Sequence, residues 1–367
     1  MRVHLVVASV LLVLLSGCGP QKGGRAPSVS EPLPPVKVAG LPSVSHGDEG
    51  PLIVTEQTQI RTEVLTAIQE LRQPKEMDIS AIEWSQTPEL DTKNLYYAIV
   101  GEMQELRYAY DISVQVKDDS LLCQIFYMPY KTGAYPEGRE YISVSAFEEL
   151  IAVAEEHLGT EPVSVQFTDS TWTPNQINNA LEQVGGGYVT CSLSQDGTEI
   201  IYTPAIGMEM EECLSALGEV ELLADELLLK LVSEDMTEME KAFSIYSHLT
   251  ENVQYDQRYY EDLEHMPYAS RTALGALRDH VAICGGYSNA VNVLFKKAGI
   301  SCYNVNGEYF QESHMWNIAY LEGVWRWFDA TTDRGNSGEY GFLRFALEDL
   351  DTTKYRWDDD SINMLLV

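Results

Sequence analysis

The chain has 367 residues, enough for about two domains at roughly 100–200 residues each. Its apolar share of 45% is ordinary for globular protein and can supply a sizeable core. With 56 acidic against 24 basic residues the formal charge is −32, a surface that repels phosphate backbones and excludes nucleic acid as a partner.

Arg2 and His4 precede an apolar run from Leu5 to Leu15, too short to span a bilayer and of signal-peptide length. The run ends in Leu15-Ser16-Gly17-Cys18, which resembles the lipobox of bacterial lipoproteins. That resemblance implies a signal peptide over 1–17, cleavage before Cys18 and a diacylglyceryl group on its thiol. The plainer alternative is a secretory signal in which Cys18 is incidental. Residues 18–52 are rich in Pro, Gly and Ser and read as a flexible tether, because they bury too little to offset chain entropy. The expected location is extracytoplasmic, lipid-anchored to the bacterial cell membrane with no membrane-spanning segment.

Residues 53–230 read as an α+β domain serving as scaffold or binding module. A helix is expected over 55–72, with Ile60, Val64, Ile68 and Leu71 on one face. A helix over 94–107 then leads into a hairpin over 110–129 that turns at Asp118-Asp119. After a helix over 144–158 the pattern recurs: a helix over 175–184 leads into a hairpin over 188–204 turning at Asp196-Gly197. Two helix–hairpin units suggest an internal repeat. Cys191 with Cys213, or either with Cys123, are the disulfides open to this domain. No cysteine pair has CxxC spacing, so zinc is not supported.

Residues 231–367 form the second expected domain. Thr237 and Glu240 have capping-box spacing, and Met239, Ala242, Phe243, Tyr246 and Leu249 make a helical stripe behind them. In "VAICGGYSNAV", Cys284 precedes a stripe of Tyr287, Ala290, Val291, Leu294, Phe295 and Ala298, closed by Lys296-Lys297 and Gly299. Cys284 therefore starts a helix, where unpaired N–H groups and the positive dipole end stabilise a thiolate. Gly285 and Gly286 would leave room for a substrate. Cys302 reads as a core residue on the following strand.

Residues 314–321 and 324–331 read as strands joined through Glu322-Gly323, with Leu321 opposite Val324. Asp329 then lies opposite Trp316 and diagonal to His314 on one face, about 7–8 Å apart at Cα and within reach of a side-chain hydrogen bond. The same face carries Trp316, Ile318, Tyr320, Trp325 and Trp327, an apolar surface for the Cys284 helix. Asn317 points to the other face and reads as structural. An imidazole oriented by a carboxylate is what a nucleophilic cysteine requires. His280 is a rival base, but no neighbour orients it. Asp358-Asp359-Asp360 lacks the spaced ligands and glycine of a calcium loop and reads as a solvated run.

Together, "ALGALRDHVAICGGYSNAVNVLFKKAGI", "NVNGE" and "HMWNIAYLEGVWRWFDATTD" resemble the core of the transglutaminase-like superfamily, with the match covering 237–333. The resemblance implies a papain-like α+β core, with the helix bearing Cys284 packed on an antiparallel sheet. It also implies Cys284 as nucleophile, His314 as general base and acid, and Asp329 as the orienting carboxylate, without cofactor or metal. The chain has Thr332 where bacterial members often carry Trp after Asp-x-Thr. Oxyanion donors would be the Cys284 backbone N–H and, from the upstream segment "NVQYD", the Tyr255 hydroxyl, although Tyr259, Tyr260 and Tyr268 lie close by and loop tyrosines commonly serve packing. The expected activity is hydrolysis of peptide or isopeptide amides through a thioester, on a peptide or protein substrate such as cell-wall peptide. The alternatives are a glutamine-to-amine transferase and an inactive surface-binding module.

Overall fold

The computed structural model describes residues 50–335 and 351–357. The signal-like segment, Cys18, the tether up to residue 49 and Asp358-Asp359-Asp360 lie outside the described residues. The chain divides into two compact units between Leu214 and Ser215.

In the first unit the order is β1 (Leu52–Ile53), α1 (Gln57–Gln69), β2 (Met77–Asp78), α2 (Pro88–Glu102), β3 (Ala109–Lys117) and β4 (Ser120–Tyr127). A short α3 (Pro129–Thr132) follows, then β5 (Ile142–Val144), α4 (Phe147–Glu156), β6 (Val163–Phe167), α5 (Pro174–Leu181), β7 (Val189–Leu193) and β8 (Glu199–Pro204). The sheets run β1-β2-β4-β3 and β5-β6-β8-β7, each with one parallel pair followed by an antiparallel hairpin. The internal repeat is thus a β-α-β-α-β-β unit, larger than the helix–hairpin visible in sequence. Its hairpins turn where expected, with Asp118 at φ 53° and Gly197 at φ 74°. Helix α2 starts at Pro88 rather than at 94, because Thr87 caps it by accepting from the Leu90 N–H and Pro suits the first turn. It ends at Glu102 because the chain tightens into a 3₁₀ turn before β3. Ile60, Ile68, Met77, Ile99, Leu121 and Ile125 are fully buried, worth about 1.5–3 kcal/mol each. Cys123, Cys191 and Cys213 are free thiols, so none of the disulfides open to them forms. They pack as small apolar side chains, and burial pushes Cys123 and Cys191 up to about 12.

The unit boundary falls inside α6 (Met210–Leu231). The second unit continues with α7 (Glu238–Asn252), whose Thr237–Glu240 capping box forms as expected. Ala242, Ile245, Tyr246 and Leu249 are buried, whereas Phe243 is exposed; the inward stripe takes Ile245 in its place. Then come β9 (Gln254–Tyr255), α8 (Arg258–Glu261), β10 (Val281–Ala282) and α9 (Cys284–Lys297). The main sheet is β13-β12-β11-β14, antiparallel throughout, from β11 (Cys302–Tyr309), β12 (Glu312–Leu321), β13 (Val324–Phe328) and β14 (Tyr355–Trp357). Glu322 and Gly323 take φ of 51° and 84°, the two left-handed residues of a tight hairpin turn, and Leu321 faces Val324.

Helix α9 packs on this sheet through the face opposite the one expected. Asn317 donates to the Ser288 carbonyl at 3.0 Å and to Asn304 Oδ1 at 2.8 Å, and Asn304 donates to Asn289 at 3.0 Å. The Phe295 ring meets Phe328 at 5.5 Å. Asn304, Asn317 and Phe328 are register partners and share one face, so His314, Trp316, Ile318 and Trp327 occupy the other. That second face closes on its own rings: Tyr355 meets Trp316 at 5.3 Å and Trp327 at 5.2 Å.

Candidate active site

Cys284 is the first residue of α9, and its N-cap residue Ile283 contributes no side-chain hydrogen bond. The first N–H groups of the helix therefore have no side-chain cap, and their partial positive charge stabilises a thiolate at this position. Lys296 and Lys297 occupy the last turn, and Gly299 follows at φ 84°. Gly285 and Gly286 serve a different purpose from the one expected. A Cβ on Gly286 would sit 2.6 Å from the Ser270 carbonyl and 2.7 Å from the Ala282 Cβ, and one on Gly285 would sit 2.9 Å from the Arg271 carbonyl. The glycines let the helix start press against backbone 270–272, rather than clearing a path for substrate.

That backbone is itself anchored. Asp256 is buried and accepts from Ser270 Oγ at 2.7 Å and from Arg258 Nε and Nη2 at 2.8 and 2.9 Å. Burial alone would raise its carboxyl, but the Arg258 and Ser270 bonds hold it below the usual range. The Ser270 carbonyl in turn accepts the Ile283 N–H at 2.8 Å, and β9 pairs with β10 just before the cysteine. Tyr255, on β9, is thereby fixed relative to the start of α9.

His314 and Asp329 meet as the hairpin register requires: Nε2 and Oδ2 are 2.8 Å apart, and both residues are buried. Asp329 accepts from three further donors. Tyr355 Oη gives to the same oxygen at 2.7 Å, and the N–H groups of Thr331 and Thr332 give to Oδ1 at 3.1 and 3.2 Å. Burial works to raise the Asp329 carboxyl, yet the His314 charge and these bonds bring it below the ordinary range, so it is ionised at neutral pH. Burial and the Asp329 charge push the Tyr355 phenol far up, which keeps it a donor. Tyr355 was not foreseen from sequence. It reaches the site because β14 pairs with β11, Tyr355 opposite Tyr309, and nothing local marks that pairing.

Cys284 and His314 line one cleft of about 410 Å³, together with Tyr255, Tyr309, Thr331 and Arg334. Tyr255 stacks on Tyr260 at 5.9 Å, and the Arg334 guanidinium lies over its ring at 5.0 Å. Glu312 and Ser313 lie on the His314 side of the wall. His280 is exposed, in left-handed conformation at φ 55°, and does not line the cleft. Asn317 ties α9 to the sheet as described, and Cys302 is buried at the start of β11, its thiol pushed up to about 12. No group of His, Cys, Asp or Glu among the described residues is arranged to hold a metal ion. An imidazole oriented by a saturated carboxylate, in one cleft with a thiol at a helix start, is equipped for thiol acyl transfer.

Residues 225–330 match the family model described as the transglutaminase-like superfamily, and this part of the chain is a transglutaminase-like domain. The kyphoscoliosis peptidase of Homo sapiens is 26% identical over a 123-residue match that covers 30% of this chain and 18% of the human protein's length. The crystal structure of a TGase is similar at 15% identity and TM-score 0.29, covering 53% of this chain and 57% of that one. A protein of Cytophaga hutchinsonii assigned as a cysteine protease is similar at 17% identity and TM-score 0.26, covering 38% of this chain and 48% of that one.

Proposed function

We propose that this chain is a thiol enzyme that hydrolyses peptide or isopeptide amides through a thioester on Cys284. The observation that carries the reading is the buried 2.8 Å His314–Asp329 hydrogen bond beside a cleft shared with Cys284. With Nε2 held by Asp329, Nδ1 of His314 takes the thiol proton. Sγ then attacks the amide carbonyl, whose π electrons move onto oxygen. The Cys284 backbone N–H and the Tyr255 hydroxyl receive that oxyanion. Collapse breaks the C–N bond, the imidazolium gives its proton to the departing nitrogen, and the thioester remains. Water, losing a proton to His314, attacks the thioester; the C–S bond breaks, Sγ regains the proton and an acid leaves. The peptidase name of the human relative supports hydrolysis over amine transfer.

We also propose that the enzyme works outside the cytoplasm, lipid-anchored at Cys18, on peptide or protein substrates such as cell-wall peptide. Leu15-Ser16-Gly17-Cys18 and the Pro- and Gly-rich segment behind it support this. Cys18→Ser should abolish labelling by a fatty-acid probe in cells.

The activity is tested by incubating the full chain with casein and a fluorescent primary amine. New peptide termini that vanish in Cys284→Ala are expected. Ammonia release with amine incorporation and no cleavage would replace hydrolysis by transfer. Neither reaction, with Cys284→Ala indistinguishable from wild type, would leave a binding module.

A further inference from the structure

Resting on the acyl-transfer reading, we infer that Arg334 and Thr331 form a carboxylate subsite in the cleft wall, so that the substrate is an anionic peptide with a carboxylate beside the scissile amide. Among the described residues lining the cleft, Arg334 carries the one permanent positive charge and Glu312 the one carboxylate. The guanidinium is held rather than free: it lies 5.0 Å over the Tyr255 ring and donates from Nη1 to the Thr331 carbonyl. Its remaining donors form a planar fork of the shape that carboxylates accept in pairs.

Thr331 supplies the independent observation. Its hydroxyl is buried, the residue lines the same cleft, and Oγ1 has no hydrogen-bond partner among the described residues. A buried hydroxyl left without a partner is costly, and this one belongs to a residue of the cleft wall. A chain of charge −32 repels anions in general, so an anionic substrate needs a fixed local cation to seat it. Glu312 repels a carboxylate from the His314 side, and the two charges together set the direction in which a peptide lies.

The test uses dipeptidyl chloromethyl ketones in matched pairs, with Glu or Gln at either residue, and reads second-order inactivation of the full chain. At least one Glu probe should inactivate faster than its Gln twin by about tenfold, the scale of one charge-assisted hydrogen bond. Arg334→Gln should erase that advantage, whereas Arg61→Gln, the same charge change in the other unit, should keep it. Thr331→Val should shrink it. No faster Glu probe, an advantage that survives Arg334→Gln, or equal slowing of both twins by Arg334→Gln would each overturn the subsite. Iodoacetamide labelling of Cys284 separates the two levels. Slow labelling in wild type defeats the acyl-transfer reading and the subsite with it; fast labelling with no Glu preference defeats the subsite alone.

Discussion

Tyr355→Phe removes a single oxygen from the site and leaves its ring packing in place. The ring still meets Trp316 and Trp327 at 5.3 and 5.2 Å, so the lost elements are the 2.7 Å bond to Asp329 Oδ2 and a longer, 3.4 Å one with Thr332 Oγ1. A hydrogen bond to a charged group is worth about 1.5–3 kcal/mol, and its loss from the second unit should lower the melting temperature by about 5 °C. The sign on His314 follows from charge. With one donor gone, Asp329 presents more negative charge to Nε2 and favours the imidazolium. The sign on stability runs the other way with acid. Asp329 lies below its ordinary value in the fold, so its contribution is full above that value and is lost as pH falls through the folded one. Wild type and variant should therefore differ in stability at neutral pH and converge in acid. Imidazole NMR of wild type and Tyr355→Phe, each titrated with a melting curve at every pH, measures both effects. A His314 titration that falls or stays put would refute the reasoning, as would an equal stability gap at every pH.

Gly286→Ala places a methyl 2.6 Å from the Ser270 carbonyl; urea unfolding should show a loss of about 2 kcal/mol with slower Cys284 alkylation. Gly299→Ala, at φ 84° with open space around it, should cost about 1 kcal/mol and leave alkylation unchanged. Asn317→Ala strips partners from the Ser288 carbonyl and Asn304 and should cost about 3 kcal/mol in the same unfolding assay. Because burial pushes Cys123, Cys191 and Cys302 up to about 12, iodoacetamide at neutral pH should leave them unlabelled in the native protein while denaturant exposes them, as peptide mass spectrometry would record.

The site's hairpin was legible because its signals are local. Glu322-Gly323 sets the turn, the turn sets the register, and the register brings Asp329 to His314. The start of α9 was legible for the same reason, from a stripe that begins after Cys284 and ends at Gly299. What escaped depends on partners distant in sequence. Tyr355 joins Asp329 only because β14 adds to β11, and two-residue strands such as β1 and β9 carry too little pattern to register. Alternation showed which side chains share a face of the sheet, but not which face the helix would cover. The Asn304–Asn317 pair decides that, through hydrogen bonds to α9 that alternation cannot reveal. Gly285 and Gly286 suggest space for a ligand in the sequence, but backbone 270–272 takes that space. Thr331 and Arg334 joined the cleft in the structure alone.

The central claim is that Cys284 is activated by His314, and alkylation tests it most directly. Iodoacetamide labelling of Cys284 would be followed by peptide mass spectrometry near pH ~6, far below a free thiol's value of about 8.5, in wild type, His314→Ala and Asp329→Ala. Fast labelling of wild type that collapses in His314→Ala and weakens in Asp329→Ala is the predicted result. Equal, slow labelling of all three folded proteins would contradict it.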